Sequence, residues 1–115
     1  MSERADADPT PEPDTAEALM RSRFAAFREG DAAWLLRTWH PSTRPRDLDL
    51  DDNPNWRGLQ IVDTVAGGEG DDRGIVEFRA SYRLVGGGVG VLHERSRFVR
   101  EGGRWFYVDG DTLGE

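Results

Sequence analysis

The apolar positions along this chain change period once. In "DTAEALMRSRFAAFREG", Met20, Phe24 and Phe27 recur at i, i+4 and i+7 with Ala16 and Leu19 beside them, one stripe of a helix. Asp14 reads as the N-cap, Glu17 completes a capping box, and Gly30 reads as the stop. Arg21 and Arg28 fall on the wetter side, and Arg23 near the edge of the stripe. A second, shorter helix follows, with Asp31 capping "AAWLLRTW" and Leu35, Leu36 and Trp39 on its buried side. It must end before Pro41, which pushes His40 out of helical dihedrals. The polar connection "HPSTRPRDLDLDDNPN" has room for one helical turn near Arg46 to Leu48.

From Trp56 the period falls to two. "WRGLQIVDTV", "RGIVEFRASYRLV", "VLHERSRFVR" and "RWFYVDG" read as strands, separated by "AGGEGDD", "GGGVG" and "EGG". Val76, Phe78, Ala80, Tyr82 and Leu84 alternate with Glu77, Arg79, Ser81 and Arg83. Turns this short make an antiparallel meander, because a parallel crossover needs a dozen or so residues. Two helices then four strands predict an α+β domain, the helical stripe covering one face of a curved sheet. Met1 to Pro13, rich in Pro and charge, predicts a disordered tail, leaving 14–115 as a single domain.

Composition narrows the chemistry. There is no Cys among the 115 residues, which excludes disulfides, thiolate zinc and thiol catalysis. All 15 basic residues are Arg, which excludes Schiff bases and Lys general bases. A net charge of -7 argues against nucleic acid as a partner. No apolar run approaches the roughly 18 residues of a membrane span, and the N-terminus has no secretory apolar core, so a cytoplasmic location and no membrane partner are expected. The Gly-rich segments lack the Lys of a phosphate loop, "DLDLDDN" lacks the Gly and Glu of a calcium loop, and no His pair has metal-ligand spacing. No metal and no cofactor are expected.

The third strand carries the densest polar cluster. Alternation puts Leu92, Glu94, Ser96 and Phe98 on one face, and His93, Arg95, Arg97 and Val99 on the other, where His93, Arg95 and Arg97 form a wet ridge. The face with Leu92 and Phe98 is the better interior, so Glu94 and Ser96 go inside with it. A carboxylate there must be paired, hydrogen-bonded or protonated. An ion pair to Arg21 or Arg23 is the structural reading, and ligand binding or proton transfer the functional one. A two-residue type I′ turn at Gly102-Gly103 would pair Phe98 with Tyr107 and Ser96 with Asp109. That register places Trp105, Tyr107 and Asp109 beside Glu94, whereas a three-residue loop would turn Phe106 and Val108 inward. The outer face of the last strand is also apolar and predicts a homodimer through the sheet. Trp39 and His40 of "TWHPSTRP", with Trp56 at the rim, complete the candidates. Core packing for the Trp residues and a backbone contact for His40 are their plainer roles.

"LMRSRFAAF", "TWHPSTRP" and "HERSRF", within a stretch from Thr15 to Gly110, resemble the YchJ-like proteins, whose main domain belongs to the nuclear transport factor 2-like superfamily. The resemblance implies a cone: a strongly bent antiparallel sheet wrapped on N-terminal helices, with a cavity at the open end. Such proteins commonly carry a Cys-rich SEC-C zinc motif, and zinc binding cannot carry over to a sequence without Cys. Three functions fit. One is a module binding a small molecule or partner through Glu94, Ser96, an Arg of the first helix and His40. Another is an isomerase- or dehydratase-type enzyme, with Glu94 or Asp109 as base and Tyr107 or His40 as its partner. The third is a dimeric scaffold with a filled cone. An open cavity of about 300 Å³ or more around Glu94 favours the first two. Glu94 held bidentate by Arg in a closed cone favours the third.

Overall fold

A computed structural model of the chain describes residues 12–51 and 53–114. Two helices, α1 (Ala16–Glu29) and α2 (Ala32–Arg37), precede four strands, β1 (Asn55–Ala66), β2 (Arg73–Arg83), β3 (Val89–Glu101) and β4 (Arg104–Thr112). The strands form one antiparallel sheet in chain order, with α1 packed across it, the expected α+β arrangement. Of the expected disordered tail, residues 1–11 lie outside the described residues. Glu12 and Pro13 are described, and the Glu12 carboxylate pairs with Arg37. No helix among the described residues is long and apolar enough to cross a membrane.

Helix α1 is capped one residue later than expected. Thr15 has extended backbone (φ -139°, ψ 162°), and its Oγ1 accepts from Ala18 N at 3.0 Å. The capping box is therefore absent, and Glu17 instead pairs with Arg21 at 2.9 Å. Asp14 contributes through its backbone, where its carbonyl accepts from Trp105 Nε1 at 3.1 Å. Gly30 ends the helix in the left-handed region, φ 76°. The buried stripe is Ala16, Leu19, Met20, Arg23 and Ala26, so an arginine sits in its middle and not at its edge.

Helix α2 is capped by Asp31, whose carboxylate accepts from Trp34 N at 3.1 Å. Of its expected buried side only Leu35 is fully covered; Leu36 and Trp39 are half-buried. No helical turn forms near Arg46 to Leu48. Side chains anchor the connection where it enters the sheet: Asn53 Nδ2 donates to Phe27 O at 2.5 Å, and Trp56 Nε1 donates to Asn53 Oδ1 at 2.9 Å.

The core joins Leu19 and Met20 of α1 to Val76, Phe78 and Ala80 of β2, Phe98 of β3 and Trp105 of β4. Tyr82 is half-buried and Leu84, past the end of β2, is exposed. In β1 two bulges, at Arg57 and Val62, break strict alternation. They bring Trp56, Leu59, Ile61 and Thr64 opposite Tyr82, Ala80, Phe78 and Val76, all on the helix side. The free edge of β4 is covered by the segment after α2. Tyr107 N donates to Thr38 O at 2.8 Å, His40 N to Tyr107 O at 2.7 Å, and Thr43 Oγ1 to Val108 O at 2.6 Å. Covering an edge in this way removes a template for aggregation.

Candidate functional site

Between α1, Trp39 and the inner face of the sheet lies a cavity of about 130 Å³. Its walls are mainly aromatic, from Phe24, Phe27, Trp39, Trp56 and Phe78, and its polar groups are Arg23, Glu94, Ser96 and Tyr107. The cone is thus neither filled nor as roomy as 300 Å³. Phe24, Phe27 and Trp56 are half-buried, which puts the mouth at their end.

β3 brings Glu94 and Ser96 inside between Leu92 and Phe98, as its alternation requires. Ser96 is fully buried, and its Oγ donates to Glu94 Oε2 at 2.8 Å. Tyr107 OH donates to the same oxygen at 3.4 Å, a long contact. Burial, reinforced by the negative charge of Glu94, pushes the Tyr107 phenol up to about 12.

Arg23 is only 2% exposed. Its Nη1 donates to Leu35 O at 2.8 Å and to Thr38 Oγ1 at 2.6 Å, which ties the guanidinium to the end of α2. The guanidinium lies 4.6 Å from the Tyr107 ring centroid and 5.2 Å from that of Trp39. Burial pushes Arg23 down to about 10, against the opposing pull of charge on Tyr107 and Glu94. Neither Arg21 nor Arg23 makes the expected ion pair with Glu94 among the described residues. Two hydroxyls satisfy one of its oxygens, and Arg23 acts on it from a longer range.

Three expected members are elsewhere. Arg21 is exposed and paired with Glu17 on the outside of α1. His40 lies outside the cavity, its Nε2 3.0 Å from Glu101, its Nδ1 2.7 Å from Ser42 Oγ and its ring edge-on to Phe106. Asp109 faces outward and accepts from Arg97 Nε at 2.6 Å. The hairpin explains this last difference. Gly102 and Gly103 have φ of 61° and 80°, the expected type I′ turn, and Phe98 does pair with Tyr107. A bulge then leaves Val108 unpaired, so Arg97 meets Asp109 and Ser96 meets Gly110. Trp105 and Tyr107 keep their inward places, while Asp109 is turned out. Trp39 and Trp56 are in the wall as expected, and Trp39 Nε1 is buried without a partner among the described residues.

The wet ridge on β3 is also drier than its composition implies. His93 is buried, with Nε2 2.7 Å from Glu77 Oε2. Glu77 also accepts from Arg95 at 2.7 Å, and Arg95 reaches Asp63 at 3.2 Å. Hydrogen bonds from His93 and then Arg95 hold the Glu77 carboxyl below its usual range.

Gly110 is a site residue that alternation alone does not reveal. Glu94 rests over it: a Cβ there would come 3.0 Å from Glu94 Cδ and 3.1 Å from Arg95 O. A lone glycine inside a strand is the trace of such an approach.

Comparison with known proteins gives a consistent picture. A UPF0225 protein from Streptomyces coelicolor is 59% identical over 99 residues, covering 86% of this chain and 76% of that protein. A UPF0225 protein from Chromobacterium violaceum is 51% identical over 108 residues, covering 91% and 77%. The solution structure of a SEC-C motif containing protein from Rhodopseudomonas palustris superposes with TM-score 0.78 at 33% identity, covering 91% of this chain and 84% of that one. A crystal structure of a SEC-C motif containing protein from Psychrobacter arcticus gives 0.71 at 25% identity, covering 94% and 66%. The profile of the family's middle domain matches residues 15–110, which span both helices, all four strands but the last two residues of β4, and every group around Glu94. The chain belongs to the YchJ family through that middle, nuclear transport factor 2-like domain.

Proposed function

We propose that the domain is an accessory module that binds a compact small molecule in the cone. One observation carries this: Arg23 and Glu94, of opposite charge, both line unfilled space and do not neutralise each other in direct contact. In a filled core such charges are costly unless paired. Around a cavity they are placed to meet a ligand, with Ser96, Tyr107 and the aromatic wall fixing its orientation. About 130 Å³ limits the occupant to fragment size, since an apolar cavity of about 150 Å³ takes benzene. Thermal-shift screening of a fragment library against wild type and Glu94→Gln tests the reading. Hits that stabilise wild type should weaken by about tenfold in the variant. Hits that survive the substitution unchanged would sink the site assignment.

A second reading, homodimerisation through the outer sheet face, has its own support. A shallow groove there of about 430 Å³ is lined by exposed Val65 and half-buried Ile75, Val99 and Val108 between Arg73, Arg97 and Asp109. Light scattering at micromolar concentration should give a dimer mass, and Val65→Glu should give a monomer. A monomeric wild type removes this reading.

A further inference from the structure

We infer that the cavity takes a compact, uncharged molecule with a hydrogen-bond acceptor at one end, meeting Arg23, and a donor at the other, meeting Glu94. This rests on the binding reading above and adds the chemical class of the ligand. Arg23 commits only Nη1 to protein partners; its Nε and Nη2 donate to nothing among the described residues. Glu94 takes both hydroxyls on Oε2, and its Oε1 accepts nothing among the described residues. One wall of the cavity therefore offers open donors and another an open acceptor. Both are held in direction. The guanidinium is tethered to Leu35 and Thr38 and lies against the Tyr107 and Trp39 rings, while Glu94 is seated over Gly110.

Charge balance then selects the occupant. The cavity already holds one fixed positive and one fixed negative group. An anionic or cationic ligand would bring an unbalanced charge into an aromatic-walled space, where desolvation opposes it. A neutral molecule whose dipole runs from Arg23 to Glu94 satisfies both open positions and adds no charge. The volume admits a single five- or six-membered ring. Small cyclic hydroxy ketones, with hydroxyl and carbonyl across the ring from each other, have that size and that pairing of acceptor with donor.

The test is an NMR titration of the whole chain, read at the Trp56 and Trp39 indole N–H signals. The probes are 4-hydroxycyclohexanone, piperidinium, cyclopentanecarboxylate and benzene. Binding of 4-hydroxycyclohexanone in preference to both charged rings, weakened about tenfold in Glu94→Gln and less in Tyr107→Phe, is the expected result. A charged ring that binds as tightly as the hydroxy ketone overturns the inference. Benzene binding without the hydroxy ketone also overturns it, while leaving the cavity reading intact. Silence from all four probes removes both. If Glu94→Gln does not fold, the preference for the hydroxy ketone over the charged rings in wild type decides alone.

Discussion

Gly110 and Glu94 behave as one fitted unit. A methyl group at position 110 would press on the Glu94 carboxylate, held by the Ser96 and Tyr107 hydroxyls, and on the backbone carbonyl of Arg95, held by the sheet. Gly110→Ala should cost about 1–3 kcal/mol in urea denaturation, the usual cost of overpacking. In the Glu94→Ala background the same change should cost at least ~0.5 kcal/mol less, because one obstacle is gone. Strictly additive losses would show that the two residues do not meet. The paired shifts of Arg23 and Tyr107 give a second prediction, with opposite signs. The Tyr107 phenol is raised from 10.0 to about 12, so its contribution is complete below pH 10 and is lost as pH rises through 12. Arg23 is lowered to about 10, so it disfavours folding at neutral pH and that cost is relieved as pH climbs past 10. Tyr107→Phe should therefore lose less stability than wild type between pH 9 and 12. A parallel decline of the two would contradict the buried-phenol assignment. The sequence put Arg23 beside the α1 stripe because hydropathy alone excludes arginine from it. Its spacing, three after Met20 and four after Leu19, already places it inside.

Thr15 and Asp14 compete at the entrance to α1, and the sequence favours Asp14 because Glu17 then completes the box. The structure gives the cap to Thr15, whose preceding residue is held by Trp105. Thr15→Ala should cost about 1 kcal/mol, while Asp14→Ala should stay within about 0.5 kcal/mol because only its carbonyl is used. Equal losses from the two would restore Asp14 as the cap. The strands follow the same logic. β2 was legible because its alternation is unbroken from Val76 to Ala80. β1 was not legible in its facing, since its inward residues are spaced three, two and three apart by the bulges. For β4 the Gly102-Gly103 turn fixed the first pairs correctly, and the unpaired Val108 then reversed the fate of Asp109. Turn chemistry is local and readable; a bulge depends on what the partner strand must accommodate.

Across the whole sheet the two faces are electrically distinct. Inside, one cation and one anion surround an apolar space. Outside, two clusters run side by side: His93, Glu77, Arg95 and Asp63, then Arg97 with Asp109 and Asp111. Glu77 and Asp111 titrate below their usual values, held down by hydrogen bonds from His93 and from Arg97 respectively. Their contribution is present above the ordinary carboxylate pKa and is lost as pH falls through the lowered value. Melting temperature should therefore fall less steeply with acid in Glu77→Gln than in wild type, the two curves converging below about pH 4. Curves that stay parallel would mean the outer cluster adds nothing to stability. Overall architecture was the most legible feature, because the change of hydrophobic period at Trp56 separates helices from sheet without reference to any single contact. Emptiness was the least legible, since a cavity is set by how the helices and sheet close and by no residue alone.

Val108 sets the reading frame of the last strand. Were it to pair with Arg97, the hairpin register would run on without interruption, bringing Asp109 opposite Ser96 and alongside Glu94. Two carboxyls crowded together share a proton, and one becomes a ready acid while the other remains a base. Arg97 would at the same time lose its nearest anchor. A one-residue slip of register thus changes the kind of chemistry open to this cone, where substitutions in its wall alter only shape. Diversification of the scaffold has a short route through the bulge at this one place.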